Sequence, residues 1–236
     1  MRVVVTRPQP DGSRTATALR ARGHDVLEAP LMQVQPVEAP LAGGWGGIII
    51  TSANAPAAIA ANPAREALLK LPLFAVGRRS AEAAREAGFA GVSSAGGDVR
   101  DLLRMLVGRR ADARAPLLYL AGEDRAADLI GALAGNGIAA EMRVVYRAVT
   151  APFPPALTAA LKGGEVDAVL HFSKRGAENY IAGAKSAGLL DEALRVRHFC
   201  LSAQIAEPLA AAGAAAAVAA QPNEAALIDL LEAARA

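Results

Sequence analysis

The fold is decided by the stretch RVVVTRPQPDGSRTATALRARGHDVLEAPLMQV (residues 2–34), because its pattern occurs twice. The pattern predicts a strand, a turn, a helix that ends at Gly23, and a second strand. It returns in PLLYLAGEDRAADLIGALAGNGIAAEMRVVYRAV (residues 116–149), where Gly137 takes the place of Gly23. Self-similarity of this kind indicates an internal repeat, which has to be recognised before a fold is assigned.

Two further segments repeat in the same order. Segment 46–60 resembles segment 167–181, and Ser173 takes the place of Ser52. The third pair of segments shares one offset of 125 residues at Phe74 and Phe199, Ala81 and Ala206, Gly88 and Gly213, and Leu102 and Leu227. One offset shared by four positions is stronger than any single match. We infer that the chain holds two copies of one three-part unit.

The chain alternates short β-branched strands with helices of about ten residues, which is typical of parallel βαβ units. The predicted fold class is therefore α/β, with parallel sheets covered by helices on both faces. Ligands of such sheets bind at the loops that follow the carboxyl ends of the strands. The predicted loops are Thr6–Gln9, Thr51–Asn54, Gly77–Ser80, Ala121–Arg125, Phe172–Arg175 and Ser202–Gln204. Two domains that present these loops would form a cleft between them.

Local rules conflict in residues 209–220. Intrinsic propensity favours one long helix in this alanine-rich segment. The repeat places Gly213 on Gly88, so we predict a helix end at Gly213 and a strand at 214–218. The helix caps predicted from the sequence are Asp98, Asn223, Asn54 and, for the first helix, Asp11 or Ser13.

Composition narrows the classes of function. The 236 residues are 53% hydrophobic and 4% aromatic, with a net charge of +2 at pH 7, which argues against nucleic acid as an obligate partner. No apolar stretch approaches the roughly 18 residues of a membrane span, and we expect no signal peptide. A single cysteine excludes an internal disulfide and is typical of a reducing cytosol. We therefore expect a cytoplasmic protein without a membrane partner.

The predicted loops are rich in small hydroxyl residues, glycine and basic residues. The basic residues are Arg7, Arg78, Arg79, Arg125, Lys174 and Arg175. Helix N-termini have free N–H groups and a positive dipole end, so a polyanionic small ligand fits this pattern. The same residues could equally cap helices and solvate the rim of each sheet. The sequence leaves both interpretations open.

Other chemistries are poorly supported. The sequence has no G-x-S-x-G nucleophile elbow, no phosphate-loop signature and no metal-ligand spacing among His24, His171 and His198. We therefore expect neither a metal nor a cofactor. His24 follows a helix-ending glycine and is predicted to be a surface turn residue. His171 lies either near the cleft or in a satisfied structural position, and Cys200 is predicted to be a buried, inert thiol.

Tyr146 lies in MRVVYRAVTAP (residues 142–152), just before a proline-rich connection. It could point into the cleft between the domains. It could also be a packing partner between the strands of a two-stranded linker. Both interpretations stay open at this point.

Several short motifs, taken in order, resemble the uroporphyrinogen-III synthase family over nearly the whole chain. They are Thr6-Arg7-Pro8, Thr51-Ser52-Ala53-Asn54-Ala55, Ala75-Val76-Gly77, Leu120-Ala121-Gly122 with Arg125, Val145-Tyr146-Arg147 and Phe172-Ser173. Their order and spacing together are fairly specific.

The resemblance implies two α/β domains of the flavodoxin-like type with parallel sheets, joined by a two-stranded β linker. Domain one would be discontinuous and comprise residues 1–34 and 150–236. Domain two would comprise residues 39–143. The linker strands would be residues 35–38 and 144–149, so the chain would cross from one domain to the other twice.

The resemblance also implies a function. The substrate would be hydroxymethylbilane, a linear tetrapyrrole with many carboxylates, and the enzyme would be a cyclising lyase of tetrapyrrole biosynthesis. It would form uroporphyrinogen III with loss of water and inversion of the terminal pyrrole ring. Apart from the resemblance, no long exposed apolar edge in the sequence suggests an oligomer, so we expect a monomer. Tyr146 matches the linker tyrosine of the family and is expected to assist departure of the hydroxyl group. The substrate-binding residues implied in this way are Thr6, Arg7, Ser52, Asn54, Gly77, Arg125, Ser173 and Lys174.

One turn departs from the family pattern. The family commonly has Gly-x-x-Thr-Ala in the last unit, whereas this chain has Ser202-Ala203-Gln204-Ile205-Ala206. Ile205 has no hydroxyl, so that contact would be absent or supplied by Ser202 or Gln204. The alternative function is therefore a non-catalytic two-domain sensor or paralogue that binds an anionic small ligand. A nucleotide-dependent transferase is a third and weaker alternative.

Overall fold

The computed structural model describes residues 1–109, 115–124 and 128–235, and the chain divides into two compact units. Unit 1 comprises Met1–Gln33 and Val149–Ala236, and unit 2 comprises Val34–Ala148. Unit 1 is therefore discontinuous in sequence.

Most of the strands are followed by a helix. The strands are β1 (Arg2–Val5), β2 (Asp25–Glu28), β3 (Met32–Pro36), β4 (Gly47–Ile50), β5 (Leu73–Ala75), β6 (Val92–Ser94), β7 (Leu117–Gly122), β8 (Ala140–Thr150), β9 (Ala168–His171), β10 (Arg197–Cys200) and β11 (Ala216–Val218). The helices are α1 (Asp11–Arg20), α2 (Asn54–Ala58), α3 (Arg65–Leu68), α4 (Arg78–Glu86), α5 (Val99–Gly108), α6 (Leu129–Gly135), α7 (Pro155–Lys162), α8 (Lys174–Ser186), α9 (Leu190–Arg195), α10 (Ala203–Ala211) and α11 (Glu224–Ala233).

Each unit contains one sheet, and the two sheets have the same strand order. The order is β11-β10-β9-β1-β2 in unit 1 and β6-β5-β4-β7-β8 in unit 2, where β3 is added beside β8. The pairs within these two series are parallel. The registers match as well, because Phe74 pairs with Ile49 and Phe199 pairs with Leu170. The predicted α/β class with parallel sheets is confirmed, and the matching order accounts for the repeat.

The repeated glycines end corresponding helices. Gly88 follows α4 with φ of +99°, and Gly213 follows α10 with φ of +93°. Glycine adopts this left-handed conformation without steric cost, which ends a helix favourably. The strand β11 follows Gly213, so the alanine-rich segment is divided as the repeat predicts. Intrinsic helix propensity is overridden there by the glycine and by pairing of β11 with β10.

Two of the predicted helix caps are confirmed. Asp98 accepts hydrogen bonds from the N–H groups of Arg100 and Asp101 in a capping box, and Asn223 accepts one from Ala226. Such caps satisfy N–H groups that have no partner within the helix.

The caps predicted for α1 and α2 are wrong. Helix α1 begins at Asp11 itself, and no side chain caps it at Pro10. The amide oxygen of Gln9 instead accepts the N–H of Ser13 at 2.9 Å. Helix α2 begins at Asn54, so Asn54 is the first helical residue and not the cap.

The strand β4 shows how the core is built. Ile48 and Ile50 pack in one cluster with Leu73, whereas Ile49 packs in another cluster with Leu102. Successive side chains of a strand point to opposite faces, and all three isoleucines are fully buried because helices cover both faces. In sheets covered in this way, ligands bind at the loops that follow the carboxyl ends of the strands.

No helix among the described residues is both long and apolar enough to cross a membrane.

Candidate functional site

At the edge of unit 2, the side chain of Tyr146 is aimed by an irregularity in strand pairing. Ala121 pairs with Val144, but the next residue, Gly122, pairs with Tyr146. Val145 is therefore an extra residue, and its side chain is buried in the core with 1% exposure. Bulges of this kind change the direction of the side chains that follow them.

The ring of Tyr146 lies against Gly122. A methyl group at Gly122 would lie 2.7 Å from two ring carbons, Cε2 and Cζ, and 2.8 Å from the phenol oxygen. The N–H of Glu123 donates to the backbone oxygen of Tyr146 at 3.0 Å. The backbone on both sides of the ring is thereby fixed.

The phenol of Tyr146 has a side-chain partner in Ser52, which follows β4. Burial raises the pKa of the phenol, and the hydrogen bond with Ser52 acts in the opposite direction by favouring the ionised form. The Ser52 oxygen also accepts the N–H of Asn54 at 3.2 Å. Ser52 thus contacts both the phenol of Tyr146 and the backbone N–H of Asn54. Because its pKa is raised, Tyr146 keeps its proton at neutral pH.

Gly77 precedes α4 in the same unit and adopts an extended conformation. Because β5 lies beside β4, the first turn of α4 lies near the loop that holds Ser52. Arg78 and Arg79 are exposed in this turn. The N-terminus of α4 therefore presents backbone N–H groups and two cations at the edge of the sheet.

In unit 1, the residues Thr6 and Arg7 are already engaged by protein groups. Thr6 is buried and donates to the backbone oxygen of Leu170 at 2.9 Å. The Arg7 guanidinium binds the carboxylates of Asp11 at 3.0 Å and Glu224 at 3.1 Å. It also lies 4.5 Å from the ring centre of Phe172. Arg7 is thus neutralised inside the unit.

The predicted residues on α8 have partners as well. Ser173 caps the helix, because its oxygen accepts the N–H of Gly176 at 3.0 Å. Lys174 binds Glu207 at 2.6 Å, and this hydrogen bond is the main reason that the pKa of Lys174 is raised. Arg125, the remaining predicted binding residue, lies outside the described residues.

The turn that departs from the family pattern places Ile205 in the core. Ile205 is 7% exposed and packs in the cluster that contains Leu209. Gln204 is exposed, and Ser202 stands at the start of α10 without a side-chain capping bond. Position 205 is thus a core position in this chain.

The histidines occupy interior positions. The sequence predicts His24 at the surface, but its side chain is fully buried and its Nε2 lies 2.5 Å from Glu232. The prediction is wrong because Glu232 is 208 residues away in sequence and α11 covers the turn. His171 is fully buried and its Nε2 lies 3.1 Å from Nδ1 of His198, so its position is interior and structural. It is only half satisfied, because its Nδ1 has no hydrogen-bond partner among the described residues. No three His, Cys, Asp or Glu side chains in the described part of the chain could hold a metal together.

Gly122 is the residue of this site that the sequence does not single out. It is visible there only as part of the Leu120-Ala121-Gly122 motif. Its contact with Tyr146 depends on the bulge at Val145, 23 residues further along the chain. That bulge leaves no pattern in the hydrophobic periodicity. A glycine in a strand does signal close approach of another group, and that signal is present in the sequence.

Comparison with known proteins gives one consistent result. The family model described as "Uroporphyrinogen-III synthase HemD" matches residues 13–229. The fold is similar to that of uroporphyrinogen-III synthetase from Helicobacter pylori 26695, at 19% identity and a TM-score of 0.67 over 100% of both chains. It is also similar to a mutant uroporphyrinogen III synthase from the extremely thermophilic bacterium Thermus thermophilus, at 21% identity and a TM-score of 0.50 over 100% of this chain and 98% of that one. No curated protein matches the chain.

Proposed function

The chain belongs to the uroporphyrinogen-III synthase family, and we propose that Tyr146 assists the family's reaction while loops at the carboxyl ends of the strands bind the substrate. The reaction closes hydroxymethylbilane to uroporphyrinogen III, with loss of water and inversion of the terminal pyrrole ring. The chain is accordingly a cyclising lyase of tetrapyrrole biosynthesis.

The observation that supports a role for Tyr146 is its half-buried, neutral phenol at the edge of unit 2. Ring closure requires the C–O bond of the hydroxymethyl group to break, and hydroxide is a poor leaving group. A neutral phenol that hydrogen-bonds to that oxygen can transfer its proton as the C–O bond breaks, so the group departs as water and a phenolate is left. The raised pKa of Tyr146 keeps the donor protonated at neutral pH. The Ser52 hydroxyl is the side-chain hydrogen-bond partner of this phenol.

The remaining steps demand little acid or base strength from the protein. Electrons of the pyrrole nitrogen expel the hydroxyl group and leave a cationic, azafulvene-like carbon. The substituted carbon of the terminal ring attacks it and forms a spiro intermediate, which rearranges to the inverted ring. A proton is released at the end and restores the phenol. Holding the two ends of a long substrate in reacting geometry is the larger contribution of the protein.

The substrate carboxylates require anion sites. In unit 2, the N–H groups of Gly77 and the first turn of α4, with Ser52 and Asn54 beside them, provide hydrogen-bond donors. In unit 1, the N-terminus of α8 at Ser173 and Lys174 offers a second set. Thr6 and Arg7 would then act by fixing the turn after β1, because their side chains are bound within the unit. Arg125 stays a proposed binding residue on the sequence motif alone.

The two compact units support the predicted division into two flavodoxin-like domains, with β3 and β8 as the linker strands. A single buried cysteine, Cys200, is consistent with a protein of the reducing cytoplasm. We propose that the protein acts there as a monomer. The sensor or paralogue alternative is less favoured, because the departure at Ile205 concerns a core position.

The test is to incubate the pure protein with freshly made hydroxymethylbilane, oxidise the product and separate the porphyrin isomers by chromatography. Isomer III is expected. Isomer I alone, formed at the spontaneous rate, would show that the chain does not invert the ring and would favour the sensor.

The role of Tyr146 is tested with Tyr146→Phe, which removes the donor and keeps the ring. We expect turnover to fall by about 10²-fold, the usual lower bound for a lost general acid. Tyr180→Phe is the matched control, because it removes a buried phenol that donates to the backbone of Ala193 in unit 1. A Tyr146→Phe protein with full cyclising rate would remove Tyr146 from the mechanism.

A further inference from the structure

Gly122 ends β7 directly beneath the ring of Tyr146 and is itself buried. Its backbone does not require glycine, because Gly122 is not among the glycines with positive φ. Any residue could adopt this conformation. The requirement for glycine therefore comes from the contact with Tyr146 and not from the chain geometry.

The contact involves the end of the Tyr146 ring that bears the hydroxyl group. The three atoms nearest to a Cβ at Gly122 would be Cε2, Cζ and the phenol oxygen of Tyr146, at 2.7, 2.7 and 2.8 Å. Real Cβ atoms do not approach other atoms this closely, so one side must move. The ring tip is the free end of a side chain, whereas Gly122 is paired within the sheet. The ring would therefore move and the strand would stay in place.

We infer that Gly122 is a positioning residue for the cyclisation reaction: the missing side chain at Gly122, with the bulge at Val145, sets the place of the Tyr146 phenol. The inference rests on the proposed role of Tyr146. Gly122 touches no reacting atom and acts only through the tyrosine. Its substitution should lower kcat much more than it raises KM, because the proposed anion sites other than Ser52, among the described residues, are not in contact with the ring.

The test is Gly122→Ala, with Gly135→Ala as the matched control. Gly135 lies at the end of α6 in the same unit, and nothing lies within 4 Å of a Cβ placed there. A misplacement of about 1 Å can cost about 10²-fold in rate. We expect Gly122→Ala to lower kcat by between about 10-fold and about 10²-fold, and Gly135→Ala to keep the original kcat.

A spectroscopic readout separates positioning from catalysis. With tyrosine labelled at Cζ with ¹³C, each phenol resonance is assigned by Tyr→Phe variants and titrated. In Gly122→Ala the Tyr146 resonance should shift, and the pKa of its phenol should fall toward the ordinary value as the ring leaves its half-buried place. An unchanged Tyr146 resonance would overturn the inference. If Tyr146→Phe is fully active, the proposed mechanism fails, but a shifted resonance in Gly122→Ala still supports the contact.

The double variant Gly122→Ala with Tyr146→Ala tests whether Gly122 acts only through the ring of Tyr146. Tyr146→Ala removes the ring, so Gly122→Ala should cause no further loss of kcat in that background. An additional loss there would show that Gly122 acts in some other way. If Gly122→Ala fails to fold, the same double variant should restore folding, since the clash partner is gone. Failure to restore it would contradict the inference as well.

Discussion

The sheets of the two units bury different chemistry at equivalent positions. In unit 1, His198 pairs with Val169 and Cys200 pairs with His171. The equivalent pairs in unit 2 are Leu73 with Ile48 and Ala75 with Ile50. Unit 1 thus buries two histidines and a cysteine where unit 2 buries leucine, isoleucine and alanine. Tyr180 adds a phenol to the same face of unit 1, with its ring edge-on to both histidines.

The difference shows which part of the pattern determines the fold. Strand order and register are the same in both units, so parallel strands form with either set of side chains. The units differ in the free energy needed to protonate their buried side chains. The two histidines share a hydrogen bond, and burial holds the pKa of His171 at about 3 and that of His198 at about 4. Unit 1 should therefore respond to acid in a way that unit 2 does not.

Acid destabilisation of unit 1 is the largest effect we expect. Both histidines stay neutral in the folded state at pH 5, while in the unfolded state they bind protons below their ordinary pKa of 6.5. The unfolded state binds more protons, so stability falls as the pH is lowered through 6.5. Each histidine contributes about 2 kcal/mol between pH 7 and pH 5, or about 4 kcal/mol together. Urea unfolding followed by circular dichroism at both pH values measures this loss.

The control transfers the residues of unit 2 into unit 1. In His171→Ile with His198→Leu, most of this pH dependence should disappear. The single tryptophan, Trp45, lies in unit 2 and reports on that unit by fluorescence. Its transition should shift less with acid than the circular dichroism transition. Equal shifts, or the same acid loss in the double variant, would remove the histidines as the cause.

The sequence could predict those features that depend on nearby residues or on the repeat. Gly88 and Gly213 are visible as one position in two copies, and they place β6 and β11 correctly. For β11 this prediction goes against the helix propensity of the alanine-rich segment. The caps Asp98 and Asn223 follow from residues within one helical turn. Local chemistry and the repeat agree at these sites.

Features that depend on distant partners could not be predicted. His24 is buried by Glu232, and Arg7 is neutralised by Glu224, which lies 217 residues further along the chain. The direction of Tyr146 depends on a bulge that no periodicity records. Each of these contacts joins segments that only the folded sheet brings together.

Breaking the ion pair between Arg7 and Glu224 in unit 1 should have an intermediate effect on the free energy of unfolding. Arg7 and Glu224 are partly buried, with side-chain exposures of 16% and 33%. Glu224→Gln removes one charge of the pair, and we expect the free energy of unfolding to fall by about 1 kcal/mol, after allowance for exposure. KM should stay the same if Arg7 only holds the turn after β1. A lower KM would instead show that the guanidinium, then paired with Asp11 alone, binds substrate carboxylates, as the motif resemblance implied.

We expect the smallest effect on stability from removing the two equivalent helix caps, Asp98 in unit 2 and Asn223 in unit 1. Asn223 satisfies one N–H group of α11, so Asn223→Ala should cost about 1 kcal/mol or less. Asp98 satisfies two N–H groups of α5, and Asp101 closes a capping box by accepting the N–H of Asp98. Asp98→Ala should therefore lower Tm more than Asn223→Ala does, with Asp98→Asn closer to the original protein.

The backbone bonds at Asp98 also hold the pKa of its carboxyl below the ordinary value. The advantage of Asp98 should accordingly be present at neutral pH and decline as the carboxyl is protonated in acid. Equal losses of Tm at pH 7 would mean that the second bond and the box add nothing to a single cap, and that the two units are stabilised alike at these helix ends.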